Sequence, residues 1–319
     1  MPIFLSIILL VVGFVLLIKG ADFFVDGAVS IANNFKVPKV LVGLTIIAFG
    51  TSAPELAVSL QALSSGSTDM VLGNVIGSNI INLLLILGLA AVIRPIRIRK
   101  NTIKKEIPIA ILISSLLVVL FLDVQLKSGD VNQITRSDGI AILLFFAVFL
   151  YYLISSAMHS PDKKSVDPPR WKILPSIGIA VLGLAGIIGG SELVVNSASD
   201  IASAIGISER IISLTVIALG TSLPELVTTV VSAKKGETDL VIGNILGSNI
   251  FNICMVLGIP VAIFGTITPS SFKIIDLAVL VGSAILLYVF SKTEHKISRR
   301  EGAFLIALFV IYYAAVFVV

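Results

Sequence analysis

The sequence predicts an all-α polytopic membrane protein of ten transmembrane helices in two inverted five-helix repeats. Four observations lead there. The chain is 56% hydrophobic and only 13% charged, with a mean hydropathy of +1.07, whereas soluble domains carry about 25% charged residues. Apolar stretches of about 17–25 residues, enough for a helix to cross the hydrocarbon core, recur along its whole length. The period-2 alternation of a membrane β-barrel is absent. Finally, one long segment occurs twice: Leu44–Gly88 aligns without a gap to Leu214–Gly258, with about half the positions identical.

The first apolar run, Pro2–Ile18, has no preceding lysine or arginine, and no small-residue cleavage site interrupts it before Lys19. It therefore reads as a retained first span rather than a removed signal peptide. Spans are expected near 3–34, 38–63, 69–93, 106–123 and 137–158, then near 172–205, 209–233, 239–264, 273–291 and 299–318. The polar, proline-bearing stretch His159–Arg170 separates the halves, giving repeats 1–158 and 172–319 joined by a cytoplasmic linker, 159–171. The repeat extends upstream, since Gly20-Ala21-Asp22 matches Gly190-Ser191-Glu192. Five spans is an odd number, so the second half enters from the opposite side and a two-fold axis lies in the membrane plane.

Charge agrees with that count. One side collects Lys36 and Lys39, the run Arg94–Lys105, Lys163–Lys172, Lys234 and Lys235, and Lys292–Arg300. The other holds Lys127, Arg136, Arg210 and Lys273. The positive-inside rule puts the crowded side in the cytoplasm of a cell (inner) membrane, with both termini outside. The Arg94–Lys105 cluster reads as a topology signal in preference to a lipid site. The net charge of +4 lies almost wholly in these loops and calls for no nucleic acid. The single cysteine, Cys254, excludes an intrachain disulfide and reads as a small buried hydrophobe.

Chemistry concentrates in two duplicated motifs. Gly50-Thr51-Ser52-Ala53-Pro54-Glu55 returns as Gly220-Thr221-Ser222-Leu223-Pro224-Glu225. Proline removes one helix hydrogen bond and clashes with the carbonyl four residues back. Each span should therefore kink or unwind, leaving carbonyls near Ala48–Thr51 and Ala218–Thr221 without helix partners. In a bilayer such groups need a cavity or a ligand. The second motif, Gly73-Asn74-x-x-Gly77-Ser78-Asn79-x-x-Asn82, returns as Gly243-Asn244-x-x-Gly247-Ser248-Asn249-x-x-Asn252. Ser78 and Asn82 share a helical face, as do Ser248 and Asn252. The glycine pairs allow close helix approach.

Taken singly, a Gly-x-x-x-Gly is helix packing, a proline is a kink and a serine bonds its own backbone; duplicated in register, the set points to a site. A charge inside a bilayer marks function by default. Two carboxylates, hydroxyls, amide oxygens and carbonyls form an all-oxygen set suited to hard cations such as Ca²⁺, not to metals that prefer nitrogen or sulfur. Two carboxylates balance one Ca²⁺ or two monovalent ions. No His-Glu-x-x-His motif or nucleophile–base pair suggests an enzyme, and no cofactor is implied. Asp69 and Asp239 begin spans and read as helix N-terminal charges. Asp22 and Glu192 either pair or line an aqueous path. Asp123 and Asp138 bracket a loop, and His159 and His295 carry no assigned role.

The GTSxPE and GNxxGSNxxN patterns resemble the two α-repeats of the calcium:cation antiporter superfamily, in its prokaryotic sodium/calcium exchanger branch. The resemblance covers essentially the whole chain. It implies broken helices 2, 3, 7 and 8 around a midplane ion site, with long spans 1 and 6 sliding across that core. It implies Glu55 and Glu225 as central Ca²⁺ ligands and main-chain oxygens at Ala48, Thr51, Ala218 and Thr221. Ser52, Ser78, Ser222 and Ser248 would flank them on Na⁺, with Asn82 and Asn252 completing the core. Some relatives carry aspartate in place of Asn252, which leaves stoichiometry open and argues against potassium dependence. The implied activity is Ca²⁺/Na⁺ antiport in the lipid bilayer, and a tight, closed pair of halves predicts a monomeric transport unit. Ca²⁺/H⁺ antiport is the alternative, and a cation channel is the reading from another class.

Overall fold

The two proline motifs break their helices at the same residue. In the computed structural model, which describes residues 3–126, 131–158, 168–205, 218–268 and 274–318, Ser52 has φ −89° and ψ 7° and Ser222 has φ −89° and ψ 5°. Each proline then falls within the first two positions of the following helix, where its missing N–H costs nothing. The chain before the first break is α2 (Lys39–Thr51), the chain after it is α3 (Ala53–Ser64), and the two are bent by 45°.

Around them run α1 (Ile3–Phe35), α4 (Thr68–Ile93), α5 (Glu106–Phe121), α6 (Arg136–Met158) and α7 (Ile173–Ala204). A short turn, Ala218–Gly220, precedes α8 (Leu223–Lys235), followed by α9 (Thr238–Phe264), α10 (Ile274–Glu294) and α11 (Arg299–Val318). Among the described residues the protein is all-helical but for one two-residue ladder and one isolated bridge. By length and apolarity six helices can cross a membrane, seven if the bent pair α2–α3 counts as one span. The start of the expected seventh span, most of the 159–171 linker, and Lys127, His159, Lys163, Lys164, Arg210 and Lys273 lie outside the described residues.

Helices α4 and α9 depart from the expected breaks. They run continuously through their polar motifs, because those motifs hold no proline. Each widens into a π-helical stretch, Ile81–Ile86 and Asn252–Leu257. Such bulges are inserted where a helix must re-aim a side chain, often at functional sites. A third π-helical stretch, Gly43–Ile47, lies in α2.

Small residues set the packing. Helices α1 and α7 run antiparallel along a seam of Gly13, Gly20 and Gly27 against Gly190, Gly183 and Ala180. A Cβ on Gly20 would meet the Ile187 backbone nitrogen at 2.7 Å, so only glycine permits this approach. The expected close contact at Gly243 and Gly247 is present against α2, where a Cβ on Gly243 would meet the Val40 carbonyl at 2.6 Å. The matching Gly77 meets nothing within 4 Å among the described residues.

The halves are interlaced. Helix α6 of the first half packs on α9 of the second, and α11 packs on α4. Short backbone pairings follow the same exchange. Strand β1 (Ile96–Arg97), after α4, pairs antiparallel with β2 (Lys296–Ile297), before α11. Ile134, before α6, bridges Ile267, after α9. No pattern in the sequence announced these pairings, since two residues are too few for a strand signal.

Candidate ion-binding site

The break at Ser52 turns α3 so that Glu55, in its first turn, points inward, and the break at Ser222 does the same for Glu225. Both glutamates are 1% exposed. Burying a carboxylate without a partner costs several kcal/mol, so each needs a counter-charge or donors.

Glu225 has donors. Ser52 gives its hydroxyl hydrogen to Glu225 Oε1 at 2.7 Å, and Ser248 to the same oxygen at 3.5 Å. Glu55 is treated differently. The hydroxyl that the repeat would send to it, Ser222, bonds Ser78 Oγ at 3.3 Å instead. Both oxygens of Glu55 and Oε2 of Glu225 have no hydrogen-bond partner among the described residues.

Two amide oxygens join them. Asn82 donates through Nδ2 to Asn249 Oδ1, and Asn252 to Asn79 Oδ1, each at 3.1 Å. Asn79 and Asn249 also exchange bonds, each donating from Nδ2 to the other's main-chain carbonyl, at 3.3 and 3.4 Å. These pairs fix the amide orientations and leave Asn82 Oδ1 and Asn252 Oδ1 buried and unpartnered. The sequence showed Asn79 and Asn249 within the motif but gave them no role. Their position three residues before Asn82 and Asn252, on the same helical side, was the available signal.

Five unpartnered buried oxygens, three of them carboxylate, thus come from both halves. Unsatisfied buried polar atoms of this kind require an explanation such as an ion. Oxygen ligands with at least one full charge suit a hard cation. Thr51, Ser52 and Ser248 are fully buried, Ser78 and Ser222 nearly so. Thr51 Oγ1 lies 3.3 Å from Asn244 Oδ1, and Asn244 Nδ2 donates to Thr229 at 2.9 Å. Asn74 likewise donates to Ser59 and to the Glu55 carbonyl, both at 3.0 Å. Asn74 and Asn244 therefore tie the motifs together.

One part of the main-chain expectation needs correction. The carbonyl of Ala48 keeps its helix partner, accepting from Ser52 N–H at 3.0 Å, because α2 stays helical as far as Thr51. Proline deprives only the residue four back, Gly50 or Gly220, of its helical donor. On the second side Ser191 Oγ replaces it, donating to the Gly220 carbonyl at 3.0 Å. Ala218 and Thr221 sit at the matching second-half positions, on either side of that carbonyl.

Other acidic residues are accounted for elsewhere. Asp239 opens α9 as expected but also takes Arg99 at 2.6 Å. Asp22 and Asp26 hold Lys235, whose Nζ is 3.5 and 2.6 Å away, and Asp26 also receives Arg170 at 3.1 Å. Asp22 is thus an ion-pairing residue, whereas Glu192 is exposed on α7. Asp138 accepts from the backbone N–H and hydroxyl of Thr135, closing the turn before α6.

The sequence pattern of the sodium/calcium exchanger protein family matches residues 5–155 and 175–318. The chain is 40% identical to the putative antiporter CaxA of Alkalimonas amylolytica, over 96% of each chain. It is 27% identical to the Ca²⁺/H⁺ antiporter ChaA of Bacillus subtilis, over 84% of this chain and 81% of that one. Among solved structures it superposes on the sodium-calcium exchanger NCX_Mj with a TM-score of 0.86 and 33% identity, covering 98% of this chain and 99% of the other. The match spans both α-repeats and nearly the whole chain: the protein belongs to the sodium/calcium exchanger family.

Proposed function

We propose that the protein is a secondary active antiporter that exchanges Ca²⁺ for Na⁺ across the cell (inner) membrane by alternating access. The observation that carries this is the group of five unpartnered buried oxygens on Glu55, Glu225, Asn82 and Asn252. Their charge balances one Ca²⁺, or two Na⁺ shared with the neighbouring hydroxyls. Ca²⁺ binds between the two glutamates, aided by main-chain oxygens at Thr51, Ala218 and Thr221, the Ala48 carbonyl being held by Ser52 N–H. Na⁺ competes for the same oxygens with help from Ser52, Ser78, Ser222 and Ser248. A carboxylate pair stripped of cations is too costly to occlude. The sliding of α1 and α7 across the core is therefore permitted only when the pair is neutralised, which enforces exchange.

Ten spans in two inverted repeats, 1–158 and 172–319, support this cycle, because a two-fold axis in the membrane plane makes inward and outward states near-equivalents. The reciprocal bonds between Asn79 and Asn249 are what such an axis would produce. The linker 159–171 then lies in the cytoplasm with both termini outside, and one chain forms the working unit. No enzyme chemistry or cofactor enters.

A second reading, Ca²⁺/H⁺ antiport, has support from the similarity to ChaA. Uptake of radiolabelled Ca²⁺ into proteoliposomes separates the two. Uptake that needs internal Na⁺ at equal pH establishes Na⁺ coupling. Uptake driven only by a pH gradient replaces Na⁺ with H⁺, and none under either gradient removes the antiporter reading.

A further inference from the structure

A cavity of about 570 Å³ opens between the α1–α7 pair and the core helix α2, and none of Glu55, Glu225, Asn82 and Asn252 lines it. Its walls include Ile46, Phe49 and Gly50 of α2, Ile177 and Val181 of α7, and Leu150 of α6. Two features define an occupant. First, no lining side chain offers a free polar group: the hydroxyl of its one threonine, Thr45, is already bonded to the Leu41 carbonyl at 2.7 Å. A ligand inside must be purely apolar over its buried length. Second, the mouth is formed by exposed apolar side chains, Phe49 at 57% and Val181 at 59%, on helices of membrane length. What lies outside that mouth is hydrocarbon.

One end of the cavity is marked by charge. Helix α1 ends, and antiparallel α7 begins, at the same end of the pair, where Ser30 and Asn34 bond the Trp171 carbonyl. Lys36 and Lys172 stand there, both exposed and neither with an acidic partner among the described residues. Each is five residues from a lining position, Ile31 or Ile177, about one and a half helical turns away. Lysines at a membrane surface favour anionic lipid.

We infer that this cavity holds one acyl chain of an anionic phospholipid, whose headgroup meets Lys36 and Lys172. The chain lies against Gly50, next to Thr51 and the Ser52 break, so it is a wedge between the long helix pair and the ion-binding core. Binding at this site does not depend on which ion is transported.

The test is lipid retention by the full-length protein in native mass spectrometry, after reconstitution with phosphatidylglycerol or phosphatidylcholine. Wild type should retain phosphatidylglycerol. Val181→Trp, which fills the cavity, should lower retention about tenfold, and Leu182→Trp, on the outward face one residue along, should not. The double change Lys36→Gln and Lys172→Gln should cut phosphatidylglycerol retention on the order of tenfold and leave phosphatidylcholine unaltered. Should Val181→Trp fail to elute as a monodisperse species, Leu150→Trp fills the cavity from the opposite wall. Equal retention in the filling and control variants, equal preference for both lipids, or retention of free fatty acid alone would overturn the assignment.

Discussion

Ser52 donates to Glu225 at 2.7 Å, although 173 positions separate them in the chain, while its repeat counterpart Ser222 turns to Ser78 and leaves Glu55 without that donor. The two glutamates are equally buried but unequally held. A hydrogen bond to a charged group contributes about 1.5–3 kcal/mol, and one between neutral hydroxyls about 1. Ser52→Ala should therefore weaken Ca²⁺ binding about tenfold or more, and Ser222→Ala by no more than about fivefold. Isothermal titration on the two variants reads this directly; equal losses would mean that the asymmetry has no energetic weight.

Replacing either glutamate removes a charged oxygen pair from a site that has no substitute nearby. Breaking a buried charge pairing costs about 3–5 kcal/mol, at least a hundredfold in affinity. Glu55→Gln and Glu225→Gln should each abolish Ca²⁺ flux in proteoliposomes while the protein still elutes as folded. Flux within a few-fold of wild type in either variant would move the ion elsewhere.

Asn79 and Asn249 hold the amides of Asn252 and Asn82 from behind. Asn79→Ala strips Asn252 Nδ2 of its acceptor and lets that amide turn a donor toward the cation. Loss of a positioning partner of this sort costs about 10–100-fold in metal sites. The expected result is weaker Ca²⁺ binding with a thermal midpoint only a few degrees lower. A large fall in stability with unchanged affinity would instead mark Asn79 as a packing residue.

The α1–α7 seam makes a prediction about stability alone. Gly20→Ala puts a methyl group 2.7 Å from backbone, an overpacking that costs about 1–3 kcal/mol. Gly178 lies on the same helix pair but has nothing within 4 Å, so Gly178→Ala should leave the melting temperature unchanged or slightly higher. Fluorescence-detected thermal melts of the two variants test the pairing geometry.

The fold and the site were unequally legible in the sequence. Helix ends came within a few residues where an apolar run met a charge or glycine, as at Phe35 and Phe264, because the hydrophobic signal is long and local. The breaks before Pro54 and Pro224 and the burial of Glu55 and Glu225 followed from covalent geometry and duplication. The rest is long-range. Arg99 pairing with Asp239, Asn79 facing Asn249, and α6 resting on α9 depend on which segments meet, and no window of sequence holds both partners. The π-helical stretches at Ile81–Ile86 and Asn252–Leu257 were missed for a different reason. They shift the hydrogen-bond register within a single helix from i→i+4 to i→i+5, and no residue type announces that.

The exchange of last helices between halves bears on how the protein is made. Arg299, at the start of α11, reaches the carbonyl of Ile93, at the end of α4, across 206 residues. At ordinary synthesis rates of about 5–20 residues per second, α4 waits about 10–40 seconds for the helix that covers it. Assembly therefore cannot proceed half by half as the chain emerges. The nascent protein must hold an unfinished surface in the bilayer until its final helix arrives, and a stop codon before Arg299 would strand it there.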